Sequence, residues 1–350
     1  MNNDQPGSLL TSDPPGFSPA QACEIALAHY AITATASPLW SERDQNFRMK
    51  TGGGTQYVLK IANALEDPGV IDFQTRALEH IARVDPELPV PRTVPDTEGA
   101  DYCLVADDQG RNHMVRLITW LDGEIVEEAD TSEDLLLETG RSLARLGLAL
   151  KEFSHPAAGH HLLWDLKNAA ELLELLPHID DPELHGLLEQ ALNTFVARVH
   201  PVIGKLRTQI IHADLNRGNV LISSDLPERV TGIIDFGDMV KTPLIMDLAI
   251  AAAYHLAETG DPLEKAMHFI RGYHEVIPLK ELEADILLEL MLARLCTSIT
   301  VQMWRAKLYP DNAEYLLIHN RQVQATLRHV MSCPAQECRE RIRALCGFGQ

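Results

Sequence analysis

The spacing of hydrophobic and polar residues divides the chain into two regions. Up to about residue 116, short runs rich in strand-forming residues predominate, such as Gln56–Ile61, and the glycine-rich stretch 51–55 before that run is typical of a hairpin turn. From about residue 131 onward, apolar residues recur every three or four positions, which indicates helices. The pattern predicts an α+β fold in which a small, mainly antiparallel β region precedes a larger helical region.

Individual elements follow from the same pattern. A helix is predicted from Pro19 to about Tyr30, because Ser18 offers a capping hydroxyl and proline favours the first helical position. A second helix over about 71–83 and strands over about 101–106 and 113–119 complete the first region. In the second region, helical spacing covers several segments: 135–153, 166–176, 184–202, 245–256, 263–276, 279–304 and 313–331. Three β-rich runs interrupt these helices: 209–212, 219–222 and 230–235.

The changes of pattern also predict domain limits. Residues 1–17 are polar and rich in proline and glycine, which favours a flexible leader. We expect an N-lobe over 18–116, a hinge over 117–123 and a helical C-lobe over 124–350. A β lobe joined to a helical lobe in this way favours an enzyme whose site lies in a cleft.

Composition narrows the possible functions. Of the 350 residues, 30 are Lys or Arg and 50 are Asp or Glu, which gives a formal charge of −20. This balance argues against nucleic-acid binding, which needs a basic surface, and against a polybasic membrane anchor. It allows a cationic small-molecule partner, although a solvated acidic surface explains most of the charge. We therefore expect neither a nucleic acid nor a membrane as partner, and the oligomeric state stays open.

Cysteine usage and the N-terminus bear on the cellular setting. The chain has 6 cysteines without paired spacing, so we interpret them as reduced thiols. No run reaches about 18 consecutive apolar residues, the length that a bilayer span requires. The first residues lack the basic and apolar segments of a secretory signal. These features favour a cytoplasmic protein.

The residues that carry chemistry are concentrated between the predicted strands of the second region. His212, Asp214 and Asn219 have the spacing H-x-D-x-x-x-x-N, and Asp235 begins a D-F-G triplet further on. Phosphoryl transfer needs a carboxylate that orients the attacking hydroxyl, and hard oxygen ligands that hold magnesium on the nucleotide phosphates. A loop with Asp214 and Asn219, followed by a strand that ends at Asp235, can direct all three side chains to one cavity. The alternative is that both acids are ordinary turn residues.

With these motifs the chain resembles the aminoglycoside phosphotransferase and choline kinase superfamily, whose fold is protein-kinase-like. The resemblance covers about 39–254 and implies a small antiparallel N-lobe that binds nucleotide and a larger helical C-lobe with the catalytic loop and acceptor site. Four stretches are most similar to hydroxylysine kinase-like phosphotransferases: 41–47, 116–123, 163–167 and 232–238. The resemblance implies Asp214 as the catalytic base, and Asn219 and Asp235 as ligands of Mg2+.

The resemblance also implies how the nucleotide is bound. Where related kinases have a glycine-rich loop, this chain has residues 42–46, and Arg43 and Asn46 are expected to contact phosphates there; the alternative is an ordinary hairpin turn. Leu117 and Thr119 are expected to offer backbone groups to the nucleotide base. Because backbone contacts have no side-chain signature, ATP and GTP both stay open as co-substrate.

One position departs from the kinase pattern. Lys60, at the end of a Y-V-L-K run, matches the strand lysine that holds the α- and β-phosphates. In kinases this lysine pairs with a helix glutamate, but here Gln74 stands at the expected place. The partner of Lys60 therefore stays open.

On the acceptor side, three residues are candidates for receiving an ammonium group. Trp164 offers an aromatic face, and Asp165 and Asp238 offer carboxylates. The alternatives are that Asp165 is a helix N-cap and that Asp238 is a turn residue. Asp247 resembles a structural acid that supports the catalytic loop.

These observations lead to one functional hypothesis and its rivals. The resemblance implies a small-molecule kinase that phosphorylates the hydroxyl of a small cationic metabolite, with a hydroxylated amino acid such as 5-hydroxylysine as the best candidate. The alternative acceptors are an aminoglycoside, choline, ethanolamine and homoserine. A nucleotide-binding pseudokinase that acts as a scaffold is the alternative outside enzymes.

Overall fold

The computed structural model describes residues 14–41, 43–126, 131–226, 228–310 and 313–349. The described chain forms two compact units. The first contains the residues up to Gly123 with Phe153–His160 and Thr231–Ile234, and the second contains the rest. Most of the predicted leader lies outside the described residues.

The first unit is built on one antiparallel sheet. Five strands follow the order β1-β2-β3-β6-β4, and β5 also pairs with β6. The strands are β1 (Ala34–Leu39), β2 (Gln45–Thr51), β3 (Gln56–Ile61), β4 (Thr93–Val94), β5 (Cys103–Ala106) and β6 (Asn112–Thr119). Two helices complete the unit, α1 (Pro19–Tyr30) and α2 (Pro68–Val84). The predicted antiparallel N-lobe is confirmed.

The core of the first unit lies on one face of this sheet. Phe47 and Met49 on β2, and Leu59 and Ile61 on β3, are fully buried, as expected for alternate residues of a strand. Phe17, the last residue of the predicted leader, belongs to the same core. Its backbone N–H donates to Oε1 of Gln45 at 2.8 Å, which attaches the segment before α1 to the sheet.

The glycine-rich stretch 51–55 forms the turn between β2 and β3, as predicted. The N–H of Gly54 donates to the carbonyl of Thr51 at 3.0 Å, and Gly54 has a φ of +90°, which glycine adopts without strain. This turn therefore has a conformational reason for its glycines that is independent of any ligand.

The second unit is mainly helical. Its α-helices are α3 (Glu133–Leu150), α4 (Pro182–Arg198), α5 (Ile245–Ala253), α6 (Glu264–Val276), α7 (Glu281–Leu308), α8 (Ala313–Leu316), α9 (Asn320–Ser332) and α10 (Ala335–Leu345). Its short strands are β7 (Glu124–Ile125), β8 (Thr208–Ile211), β9 (Val220–Ile222) and β11 (Val240–Pro243), while β10 (Val230–Ile233) spans the boundary between the units. β8 pairs with β11, and β7 pairs with β9, both antiparallel.

Several predicted helices differ from the structure. The segment Leu166–His178 is a 3-10 helix, and apolar residues three to four positions apart do not distinguish it from an α-helix. The predicted helix over 184–202 ends at Arg198 and a 3-10 turn follows, because Pro201 has no N–H to continue it. The predicted helix over 313–331 breaks before Asn320, whose buried side chain donates to Oε1 of Gln302. Both α10 and β11 were missed.

The long helix α7 contains an extended apolar stretch. By length and composition alone it could cross a membrane, but 89% of its apolar window is buried inside the protein. The few charged residues on its buried face have partners, such as Glu283, which accepts from Nε of Arg207 at 2.8 Å. Burial in the core therefore accounts for the composition of α7.

Helices α3 and α6 approach each other closely at two glycines. A Cβ added to Gly272 would lie 2.0 Å from the carbonyl oxygen of Leu137, and one added to Gly140 would lie 2.2 Å from that of Phe269. Because these neighbours are backbone atoms, they cannot rotate away. The contact between the helices therefore depends on the absence of a side chain at both positions.

Gly272→Ala is expected to destabilise the protein by about 3 kcal/mol or more, since the helices must separate to admit the methyl group. Gly186→Ala is the matched control, because Gly186 is exposed on α4 with no atom within 4 Å of an added Cβ. Helix propensity predicts that this control gains about 0.5–1 kcal/mol. Urea unfolding of both variants checks the prediction, and equal stabilities would contradict it.

Candidate active site

The predicted catalytic loop lies in the second unit between β8 and β9. β8 ends at Ile211, and a 3-10 turn over Arg217–Asn219 leads into β9. The loop begins with a strained residue: Ala213 has a φ of +65°. This conformation is uncommon for any residue other than glycine.

A buried acid holds this strained turn. Oδ1 of Asp247, from α5, accepts the backbone N–H of Ala213 at 2.9 Å, and Asp247 is only 1% exposed. Burial raises the pKa of the Asp247 carboxyl to about 7, while the hydrogen bonds from the backbone of the loop oppose the shift. The supporting role implied for Asp247 matches this geometry.

The carboxylate of Asp214 is surrounded by donors. Its Oδ2 accepts from Nδ2 of Asn216 and from Nδ2 of Asn219, each at 3.0 Å, and its Oδ1 accepts from Nη2 of Arg294 at 2.9 Å. The backbone N–H of Asp214 donates to Nδ1 of His212 at 3.3 Å. The loop asparagines and Arg294 of α7 thus fix the orientation of this carboxylate through both of its oxygens.

Burial also alters the acidity of this carboxyl. Desolvation raises the pKa of Asp214 to about 7, the cation of Arg294 opposes the rise, and the negative charges of Asp238 and Asp235 add to it. A carboxylate whose pKa lies near neutrality is suited to accept a proton at physiological pH. The electrostatic influence of Asp235 and Asp238 also places both acids near Asp214.

His212 occupies a bracing position. It is fully buried, and its ring meets that of Phe236, from the D-F-G triplet, edge to face with 4.8 Å between the centroids. Its Nδ1 is engaged by the backbone of Asp214. His212 thereby connects the two halves of the motif through this ring contact and this hydrogen bond.

The predicted metal ligands offer the oxygen chemistry that a divalent cation needs. Asn219 directs Nδ2 to the backbone and side chain of Asp214, and no described residue donates to its Oδ1. Asp235 has a φ of +62°, and its Oδ1 accepts the N–H of Gly237 at 3.2 Å. No group of three His, Cys, Asp or Glu suited to a metal exists in the described part of the chain. A nucleotide-bound cation needs only one or two protein ligands, because phosphates and water supply the others.

Two residues at this site were missed by the sequence analysis. Nη2 of Arg294, on α7, also donates to the hydroxyl of Tyr254 at 2.5 Å. The guanidinium lies over the rings of Trp164 and Tyr254, 5.3 Å and 5.4 Å from their centroids. The available signal was Arg294 itself, a single charge within the apolar run of α7.

The predicted acceptor residues have different surroundings. Trp164 lies beside Arg294, close to Asp214. Asp165 is 2% exposed, and it accepts from the hydroxyl of Thr242 at 2.8 Å and from the N–H of Lys167 as cap of the following 3-10 helix. Its other oxygen pairs with the ammonium of Lys167 at 2.8 Å. Because both oxygens are engaged, the N-cap alternative describes Asp165 better than a substrate contact.

The nucleotide-contact residues belong to the first unit. Lys60 on β3 faces Asn46 on β2 and Arg116 on β6, in register across the sheet. Asn46 was predicted to lie in a loop, but β2 begins at Gln45, so it is a strand residue whose Oδ1 is buried without a hydrogen bond among the described residues. Arg43 lies in the connection between β1 and β2, and Glu42 lies outside the described residues.

The end of β6 holds the residues expected to meet the nucleotide base. Leu117 is fully buried and pairs with Leu59 on β3. The N–H of Thr119 donates to the carbonyl of Arg92 at 2.9 Å, and its hydroxyl accepts the N–H of Arg92. The N–H and the hydroxyl of Thr119 are thus both used in hydrogen bonds to Arg92. A contact of Leu117 or Thr119 with the nucleotide base stays a prediction.

Gln74 has a partner other than Lys60. Its Oε1 accepts from Nη2 of Arg116 at 2.9 Å, and Nη1 of Arg116 also contacts Oγ1 of Thr75 at 3.3 Å. Arg116 is 4% exposed, so a buried cation from β6 meets the helix where an acid was expected. Glutamine provides the acceptor that this arginine needs. Among the described residues, the ammonium of Lys60 has no ion-pair partner.

The fold is protein-kinase-like: an antiparallel N-terminal sheet carries the strand lysine Lys60, and a helical unit carries Asp214, Asn219 and Asp235, the residues predicted as base and metal ligands. Residues 35–281 match the phosphotransferase enzyme family, APH. The chain belongs to this family and is a small-molecule kinase.

Individual relatives agree with this assignment. Hydroxylysine kinase from Mus musculus is 30% identical over 328 residues, covering 87% of this chain and 86% of the relative. Homoserine kinase from Methylobacillus flagellatus is 28% identical over 246 residues, covering 67% and 68%. Amicoumacin kinase hAmiN, solved with AMP-PNP, Ca2+ and Ami, has a TM-score of 0.66 at 18% identity, covering 88% of this chain and 93% of that one. This last likeness confirms the fold.

Gln74→Leu is expected to cost about 1–3 kcal/mol of stability, because it leaves the buried guanidinium of Arg116 without this acceptor. Gln74→Glu is the matched control, since a carboxylate at the same place still accepts from Nη2. Thermal unfolding of the two variants should give a lower midpoint for the leucine variant alone. A glutamate variant that loses as much stability would show that Gln74 acts through packing instead.

Proposed function

We propose that this protein transfers the γ-phosphoryl group of ATP or GTP, with Mg2+, to the hydroxyl of a small hydroxylated amino acid such as 5-hydroxylysine. The observation that carries the proposal is the partly buried carboxylate of Asp214, which is oriented by hydrogen bonds to both of its oxygens and lies in a loop that also carries Asn219. The identity with hydroxylysine kinase over most of both chains supports the choice of acceptor.

Each residue has one part in this reaction. Asp214 accepts the proton of the acceptor hydroxyl as its oxygen attacks the γ-phosphorus, the bond to the β-phosphate oxygen breaks, and the nucleoside diphosphate leaves with that electron pair. Lys60 binds the α- and β-phosphates. Asn219 and Asp235 hold the divalent cation, which supplies positive charge against the phosphate oxygens. The structure of amicoumacin kinase contains AMP-PNP and Ca2+, which supports the proposal that the present reaction also needs a nucleotide and a divalent cation.

The pseudokinase alternative has little support in these residues. Asp214, Asn219 and Asp235 are all present, and the glutamine that replaces the usual glutamate has a structural role with Arg116. The alternative acceptors have more support than the pseudokinase alternative. Homoserine is the second candidate, because a homoserine kinase is similar over two thirds of this chain.

Asp214→Ala should keep nucleotide binding and lower kcat by about 10²–10⁴-fold, because the proton acceptor is lost while the rest of the chain keeps its contacts. Asp180→Asn is the matched control, since Asp180 is a surface acid of the same unit with 80% of its side chain exposed. Nucleotide binding by calorimetry and turnover by a coupled assay give the two readouts. Retained turnover in the alanine variant would exclude Asp214 as the base.

The acceptor is tested with a substrate panel. Purified protein is assayed with ATP and with GTP against 5-hydroxylysine, homoserine, ethanolamine, choline and an aminoglycoside. We expect the highest kcat/KM for 5-hydroxylysine, and loss of turnover when the divalent cation is chelated. A higher kcat/KM for homoserine would identify homoserine as the acceptor instead of 5-hydroxylysine. Nucleotide binding without turnover of any compound would favour the scaffold alternative.

A further inference from the structure

We propose that Arg294 binds the carboxylate of the acceptor and thereby selects amino acids over amino alcohols. This inference rests on the proposed function and adds a residue that reads the acceptor. The recognition proposed is that of an oxyanion by a buried guanidinium next to the proposed base, Asp214.

The starting observation is an arginine with unused donors. Arg294 is 5% exposed, and its hydrogen bonds to Asp214 and Tyr254 both use Nη2. Nε and Nη1 are buried and have no acceptor among the described residues. A guanidinium has five N–H donors, so three of them lack a partner in the described part of the chain. Buried donors of a charged group are costly to leave unsatisfied, which favours a ligand that supplies oxygens.

The chemistry of these donors selects the ligand. The planar fork of arginine matches a carboxylate or a phosphate, and charge-assisted hydrogen bonds of this kind are stronger than neutral ones. The rings of Trp164 and Tyr254 lie against the guanidinium and restrict its orientation. The cation is thus held in position before a ligand binds, which lowers the ordering cost of binding.

The position of Arg294 connects recognition with chemistry. The same guanidinium donates to Oδ1 of Asp214 at 2.9 Å. An acceptor held at Arg294 through its carboxylate has its far end in the neighbourhood of the base, where a hydroxyl can meet Asp214.

Two sources supply a suitable oxyanion, the acceptor carboxylate and a nucleotide phosphate. The acceptor is favoured because Arg294 lies among aromatic rings that suit a small organic molecule, whereas Asn219 and Asp235 are the residues matched to the phosphate-bound cation. The substitution experiment separates the two sources, since a phosphate contact affects the nucleotide KM and a carboxylate contact affects the choice of acceptor.

The test compares 5-hydroxylysine with its carboxamide, which keeps the hydroxyl and both amines but lacks the negative charge. Wild-type protein is expected to prefer the acid in kcat/KM by roughly 10- to 100-fold, because the amide offers no negative charge to the unused donors of the guanidinium. Arg294→Gln should reduce this ratio to about one. Arg294→Lys, which keeps the charge but not the fork, should give an intermediate ratio.

Arg198→Gln is the matched control. Arg198 is also an arginine that contacts α7, through Glu289, but its side chain is 41% exposed. This variant should keep the wild-type ratio. A role of Arg294 confined to holding Asp214 would lower turnover of acid and amide equally, and that result overturns the inference. A raised nucleotide KM with an unchanged ratio would assign Arg294 to phosphate and overturn it as well.

The comparison of acid and carboxamide with the wild-type protein tests carboxylate recognition even if Arg294→Gln does not fold. Equal kcat/KM for acid and amide would contradict carboxylate recognition while leaving the proposed kinase activity in place. Absence of turnover for both compounds, with turnover of a different acceptor, would instead overturn the proposed acceptor and with it the role of Arg294.

Discussion

The hydrogen bond from the backbone of Ala213 to the buried carboxylate of Asp247 is the contact on which the site depends. A non-glycine residue at φ +65° is strained, and such a conformation persists only where its surroundings determine it. Asp247 fixes this conformation because its carboxylate accepts the N–H of Ala213 and is buried in α5. The strained turn directs the next residue, Asp214, towards Arg294 and the two asparagines. The orientation of Asp214 therefore depends on the packing of α5, which holds Asp247 in place.

The same arrangement explains why some of the site was predictable from the sequence. The order and spacing of His212, Asp214, Asn219 and Asp235 are local properties of the chain, because the loop and the strand that carry them are short and their chemistry is fixed by residue type. The antiparallel first unit was likewise predictable, since alternation in β2 and β3 and the glycine turn between them are local signals. The helical class of Leu166–His178 was not, because the same apolar spacing fits two kinds of helix.

Contacts between distant parts of the chain escaped the sequence analysis. Gln74 on α2 pairs with Arg116, which lies on β6, 42 positions away, and a motif comparison that expects a lysine–glutamate pair has no means of finding a glutamine–arginine pair. Asp165 shows the opposite case. The sequence allowed two roles for Asp165, an N-cap and a carboxylate that receives the substrate ammonium. The hydrogen bond from the hydroxyl of Thr242, 77 positions away, favours the N-cap because it uses one of the carboxylate oxygens.

Arg294 shows how a residue with a weak sequence signal gains meaning from its neighbours. In the sequence it is a charge within the apolar middle of a long helix, and such a charge is rarely buried unless it is paired. Glu283 and Glu289 on the same helix are also buried, but arginines from other elements reach both of them. Arg294 differs because its anionic partner is Asp214, the proposed base, and two of its nitrogens have no acceptor among the described residues. These unsatisfied donors, next to the proposed base, are the reason for proposing that Arg294 binds the acceptor.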